Sequence, residues 1–212
     1  MKRPVVNSSV ALRTKRRQAV GKARGFTLIE LVVTIALAAI LLSIAAPSFV
    51  KFQRNSELTT TVNSLLGAVT AARAEAMRRN VTVYVLPISQ TNGWASGWFV
   101  VADGDLSLTS SSITSLTPDN IVAPDVLVTR HEPIPSTVTV PTVSGVNNFT
   151  QGGITYIRFN GQGYPAAFGG AGFVGGAVQM TNGATTTRMV MSMAGRVRTC
   201  AATAADCSAT GL

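Results

Sequence analysis

Hydrophobic and polar positions divide the chain into stretches of different period. From Phe26 to Ala46 almost every residue is apolar or small, and Glu30 is the one charge. A run of that length matches the roughly 20 residues that a helix needs to cross a bilayer. Farther on, Leu58, Val62, Leu65, Leu66, Val69, Ala72 and Ala76 recur at three- and four-residue spacing, while Arg54, Glu57, Arg73, Glu75, Arg78 and Arg79 fall mostly off that stripe. The spacing predicts an amphipathic helix with one face buried. Pro47 removes a backbone hydrogen bond and crowds the turn before it, so a bend is expected there without loss of the pattern. A helix over 26–80 would be about 80 Å long. Its first half, about 26–46, would lie in lipid or in a filament core, and its second half would pack on a globular head.

Asn80 is the expected helix stop, and the period then shortens. Val81–Leu86, Gly97–Val101, Val126–Thr129, Ile154–Phe159, Ala177–Met180 and Thr187–Ser192 read as strands. Asn92-Gly93, Asp103-Gly104, Pro118-Asp119, Asn160-Gly161 and Asn182-Gly183 punctuate them as turns. The predicted fold class is α+β, with a long N-terminal helix, its first half transmembrane, packed on an antiparallel β-sheet head over 81–212. No internal repeat is visible.

Charge changes the picture at the N-terminus. Lys2, Arg3, Arg13, Lys15, Arg16, Arg17, Lys22 and Arg24 supply eight of the eighteen basic residues, and no acid precedes Glu30. Eighteen less eight leaves ten basic against nine acidic residues after position 25, so the basic balance resides in the leader and does not by itself indicate nucleic acid. Positive residues stay cytoplasmic, which places everything after the apolar run across the inner membrane. Cys200 and Cys207 suit that oxidising side and are expected to form a disulfide that stiffens the C-terminal tail.

Arg24-Gly25 before Phe26-Thr27-Leu28-Ile29-Glu30, the apolar stretch and Pro47 resemble the class III signal of type IV pilins and pseudopilins. The resemblance implies that a prepilin peptidase cuts between Gly25 and Phe26, releasing a leader of residues 1–25, and that Phe26 is N-methylated. It also implies that subunits pack their N-terminal helices in a filament, where Glu30 compensates the amine of a neighbouring Phe26. An isolated carboxylate inside a membrane segment costs roughly 2.5 to 3.5 kcal/mol, which asks for a functional reason of that kind.

Three further segments resemble the GspH/FimT family of pseudopilins and minor pilins: Trp94-Ala95-Ser96-Gly97-Trp98-Phe99-Val100-Val101-Ala102-Asp103, Ile157-Arg158-Phe159-Asn160-Gly161-Gln162-Gly163, and Gly195-Arg196-Val197-Arg198. Between them the Ser/Thr/Pro-rich stretch Leu106–Asn148 departs from the pattern. The family has two branches. One comprises type IV minor pilins, including FimT-like proteins that bind DNA during natural transformation through Gly-Arg-x-Arg; the other comprises tip pseudopilins of type II secretion. The resemblance thus implies DNA contacts at Gly195, Arg196 and Arg198.

The charge pattern agrees. No acid lies between Glu132 and Asp206, while Arg158, Arg188, Arg196 and Arg198 all fall in that gap, and Arg188 joins the candidate DNA-binding set. On an extended segment Arg196 and Arg198 share one face, where guanidinium groups grip phosphate oxygens bidentately. Such contacts favour double-stranded DNA of any sequence, bound weakly and with strong salt dependence.

Other patterns carry less. Gly161-Gln162-Gly163-Tyr164-Pro165-Ala166 fits a loose dinucleotide fingerprint, yet Pro165 and the glycines after it leave no helix for a pyrophosphate. Asp103-Gly104-Asp105 lacks the further ligands of a calcium loop and reads as a turn. His131-Glu132 reads as a lone surface histidine, and Trp94, Trp98 and Phe99 as core. No catalytic constellation, metal or cofactor is expected, and enzymatic activity is not.

Overall fold

The computed structural model describes residues 25–170, 172–173, 175–204 and 207. Residues 1–24, which carry the eight cations of the expected leader, lie outside the described residues.

Helix α1 spans Leu28–Arg79 with Pro47 inside it. It begins on a side-chain cap, since the Glu30 N–H donates to the Thr27 hydroxyl oxygen at 3.2 Å. Thr27 and Glu30 therefore occupy the two ends of a Thr-x-x-Glu capping sequence, with the carboxylate in the first turn where the helix dipole favours a negative charge. The helix stops at Asn80, whose φ of 55° takes the left-handed conformation that ends helices.

The first unit, residues 1–45, contributes the N-terminal part of the helix, where the described residues from Gly25 onward are exposed. The second unit, residues 46–212, holds the core. There Leu58, Val62, Leu65, Val69, Ala72 and Ala76 are buried, the stripe that the spacing predicts, with Leu66 at its edge.

Strands β1 (Thr82–Ser89), β2 (Gly93–Asp103), β3 (Val126–His131) and β6 (Ile157–Phe159) form an antiparallel sheet in the order β3-β2-β1-β6. Short strands β4 (Thr150–Gln151) and β5 (Ile154–Thr155) pair with each other. Strands β7 (Gly176–Thr181), β8 (Thr186–Met191) and β9 (Val197–Ala201) form a third antiparallel sheet. The predicted Ile154–Phe159 strand is divided at Tyr156, which is buried and accepts no place in either ladder, and β9 lengthens what sequence suggested only as an extended segment.

Side-chain alternation explains the layers. Val83 and Val85 of β1, Trp98, Val100 and Ala102 of β2, Ile157 and Phe159 of β6, and Val178, Met180, Met189 and Met191 of β7 and β8 pack with the helix stripe in one cluster. Tyr84, Leu86, Phe99 and Val101 alternate to the opposite face and meet Ile113 and Tyr156 in a second. Burial on both faces is why β1 reads as an almost unbroken apolar run. The cover of the second face comes from the stretch Leu106–Asn148: short helix α2 (Ser112–Ser115) supplies Ile113, flanked by Leu108, Leu116 and Ile121. Truncating a fully buried leucine such as Leu65 to alanine would cost about 2–5 kcal/mol.

Candidate nucleic-acid interface

The Gly-Arg-x-Arg segment ends the turn between β8 and β9 and enters β9 at Val197. Gly195 N–H donates to Ser192 O at 2.9 Å, and Ser192 N–H donates to Arg196 O at 2.9 Å, closing a three-residue loop of Met193, Ala194 and Gly195. Such loops place their third residue in the left-handed region, and Gly195 has φ 78°. The residue is also buried, and a Cβ there would lie 2.9 Å from Pro165 Cδ. Glycine is therefore required twice over, for conformation and for contact. From helix α1, Arg73 Nη1 donates to Gly195 O at 3.0 Å.

Register then assigns the arginines a face. Val190 stands opposite Arg198 and Arg188 opposite Cys200. Strand alternation places Arg188, Val190, Arg198 and Cys200 on one side of the sheet, while Met189, Met191 and Val197 turn towards the helix cluster. Arg188 and Arg198 thus line the sheet face away from helix α1. Arg196 is exposed, and among the described residues no ion pair involves it. Arg198 is half-buried.

Arg188 has a different task. Its Nε donates to Gln179 Oε1 at 2.8 Å and its Nη1 to Cys207 O at 3.1 Å, so it fastens the tail closed by the Cys200–Cys207 disulfide onto the sheet. Arg158 is not brought to this face at all. It sits on β6 over the rings of Tyr84 and Phe168, 5.7 and 5.0 Å from their centroids, and donates to Ala167 O. Sequence reasoning grouped these arginines by their acid-free surroundings, which says nothing of which sheet each enters. Arg73 went unnoticed because it lies 122 residues from its partner.

The remaining candidates resolve into structure. Trp94, Trp98 and Phe99 are buried. His131 is not a free surface group: its ring stacks on Trp98 with centroids 4.1 Å apart, and Nδ1 lies 2.7 Å from Glu132 O. Asp103, Asp105 and Asp125 bring carboxylate oxygens within 4.8 Å of one another. Each is already engaged by backbone N–H groups: Asp103 by Ser107 and Leu108, Asp105 by Ser107, Asp125 by Gly104. Burial pushes the Asp103 carboxyl above its ordinary value. The cluster ties the β2 end to the covering loop.

Glu30 and Phe26 lie at the start of the exposed apolar part of the helix, with Gly25 just before them. That helix is long and apolar enough to cross a membrane.

Among solved structures, the fold is similar to the type IV minor pilin FimU of Pseudomonas aeruginosa. One crystal form is 18% identical, with a TM-score of 0.46, covering 69% of this chain and 90% of that one. A second is 16% identical, with a TM-score of 0.44, covering 67% and 91%. No curated protein matches the chain significantly. The prokaryotic N-terminal methylation motif matches residues 21–46, and the type II transport protein GspH family matches residues 61–195. The chain therefore belongs to the GspH family, the pilin and pseudopilin subunits of type IV pilus and type II secretion filaments, whose role is structural.

Proposed function

We propose that the protein is a minor pilin that primes or caps a type IV pilus and holds double-stranded DNA during uptake in natural transformation. Cleavage between Gly25 and Phe26 and methylation of Phe26 yield the mature subunit. It waits in the inner membrane with its head, residues 81–212, in the periplasm. Glu30 then offsets the amine of a neighbouring Phe26 when the helices pack.

The observation that supports DNA binding most is the fixed turn at Gly195, which holds exposed Arg196 two residues before Arg198, whose strand face turns away from the helix. Two guanidinium groups on a preorganised turn lose little freedom on gripping phosphates. Arg188, tied to Gln179 and Cys207, adds positive potential behind them. The test is a gel shift of the full-length protein in detergent with duplex DNA at low salt. Retardation is expected for the parent and not for Arg196→Ala with Arg198→Ala; equal retardation of both, or none of the parent, defeats the reading.

The second reading is a tip pseudopilin of type II secretion, favoured by the family match itself. Its head would contact other minor pseudopilins or exported proteins. Deletion of the gene separates the two, since loss of transformation points to the pilus and loss of protein export to the secretion system.

A further inference from the structure

We propose that Tyr164 turns the arginine surface into a stacking site, so that the head takes DNA with unpaired bases, a single strand or an unwound end, through a contact that duplex DNA does not make. This deepens the DNA reading above and rests on it. Among the described residues beyond helix α1, Tyr164 is the one exposed aromatic side chain of Phe, Tyr and Trp, at 59%. Its position is as telling as its exposure. Tyr164 precedes Pro165, and Pro165 Cδ is the atom that a Cβ at Gly195 would strike. Gly195 in turn precedes Arg196. The exposed ring and the exposed guanidinium are thus each one residue from a single buried contact.

The backbone that carries the ring is held firmly. Asn160 Oδ1 accepts the N–H groups of Gln162 at 3.1 Å and Tyr164 at 3.0 Å, and Tyr164 O accepts the Asn160 N–H at 3.0 Å. Gly163, with φ 78°, presses against helix α1, where a Cβ would meet Met77 Sδ at 2.7 Å and Arg73 Cγ at 3.5 Å. Arg73 therefore bonds one loop through the carbonyl of Gly195 and stands where a side chain on Gly163 of the other would meet it. The electrostatics favour a polyanion: from Arg73 to Arg79 three arginines stand against Glu75, net +2, and Glu75 is already paired with Arg78 and Arg79. An exposed phenol ring on a firmly held backbone, one residue from the Pro165–Gly195 approach, suits a base whose phosphate the arginines hold, because stacking adds affinity without sequence preference. Paired bases inside a duplex keep their faces covered and cannot use it.

Full-length protein in detergent, titrated at low salt with fluorescein-labelled oligothymidine and with a hairpin-closed duplex of equal length, tests this. Tyr164→Ala is expected to weaken oligothymidine binding roughly tenfold and the duplex by less than about twofold, while Tyr164→Phe retains both. Oligothymidine binding unchanged in Tyr164→Ala, an equal loss for both ligands, or a Phe variant as weak as Ala overturns the stacking role. Arg196→Ala with Arg198→Ala serves as the separate arm: loss of both ligands there, with Tyr164→Ala neutral, removes the stacking role and leaves the phosphate grip standing. Parent-like binding of both ligands by that double variant removes the DNA reading itself.

Discussion

Arg73 Nη1 donates to the carbonyl oxygen of Gly195 across 3.0 Å, joining the long helix to the turn that presents Arg196. A charged donor on a half-buried carbonyl is worth more than an ordinary hydrogen bond, so Arg73→Met is expected to destabilise the head by about 1–2 kcal/mol. Gly195→Ala, forced to φ 78° against Pro165, is expected to cost about 1–3 kcal/mol. Both should weaken DNA binding while leaving Arg196 and Arg198 in place. Thermal unfolding read beside anisotropy checks the pair, and unaltered stability in Gly195→Ala would contradict the geometry.

The tail offers a separate check. Cys200 and Cys207 close a short loop, and Arg188 holds the Cys207 carbonyl. Replacing both cysteines with serine should lower stability by about 2–3 kcal/mol through the freed unfolded chain. Arg188→Met should remove part of the same stabilisation, so the two changes combined are expected to cost less than their sum in a double-mutant cycle.

The capping geometry at Glu30 and the assembly role proposed for its carboxylate can be pulled apart. Its N–H is capped by Thr27, and a glutamine at that position suits the same capping sequence while removing the charge. Glu30→Gln should therefore insert in the membrane as well as the parent yet enter filaments poorly. Normal incorporation of that variant, measured in sheared filaments, would leave Glu30 with the capping role alone.

Much of this was legible in the chain, and the losses have physical causes. The stripe from Leu58 to Ala76 and the strands around Val83, Trp98, Val178 and Met189 were visible because period reports which face is buried. The stretch Leu106–Asn148 was opaque: its cover of Tyr84 and Phe99 depends on a few spaced residues, Leu108, Ile113, Leu116 and Ile121, without regular period. The Gly-Arg-x-Arg turn was readable as a motif. Its supports, Arg73, Pro165 and the Asn160 loop, were not, because contacts distant in sequence leave no local pattern. Arg188 shows the same limit, since an acid-free segment does not reveal that a carbonyl and an amide already occupy its donors.

Acid should be felt at the end of helix α1. The Arg78 hydrogen bond, with Arg79 beside it, holds the Glu75 carboxyl down at about 2 against an ordinary 4.5. A depressed carboxylate contributes stability that is present above about 4.5 and is lost as pH falls towards 2. Arg78 is 64% exposed and Arg79 33%, so solvent screening keeps the contribution below about 1 kcal/mol. Glu75→Gln should melt slightly below the parent at neutral pH, with the difference closing near pH 2; a gap that widens in acid would reverse the assigned sign.

The most direct measurement is the salt dependence of duplex binding by the full-length protein. Each phosphate neutralised contributes a slope of about −0.9 in log affinity against log salt, so the parent should fall steeply and Arg196→Ala with Arg198→Ala should lose about two such contacts, flattening the slope by roughly 1.8. An identical slope in parent and double variant would mean that these two arginines do not touch the phosphates, and the interface assigned to the β8–β9 turn would be wrong.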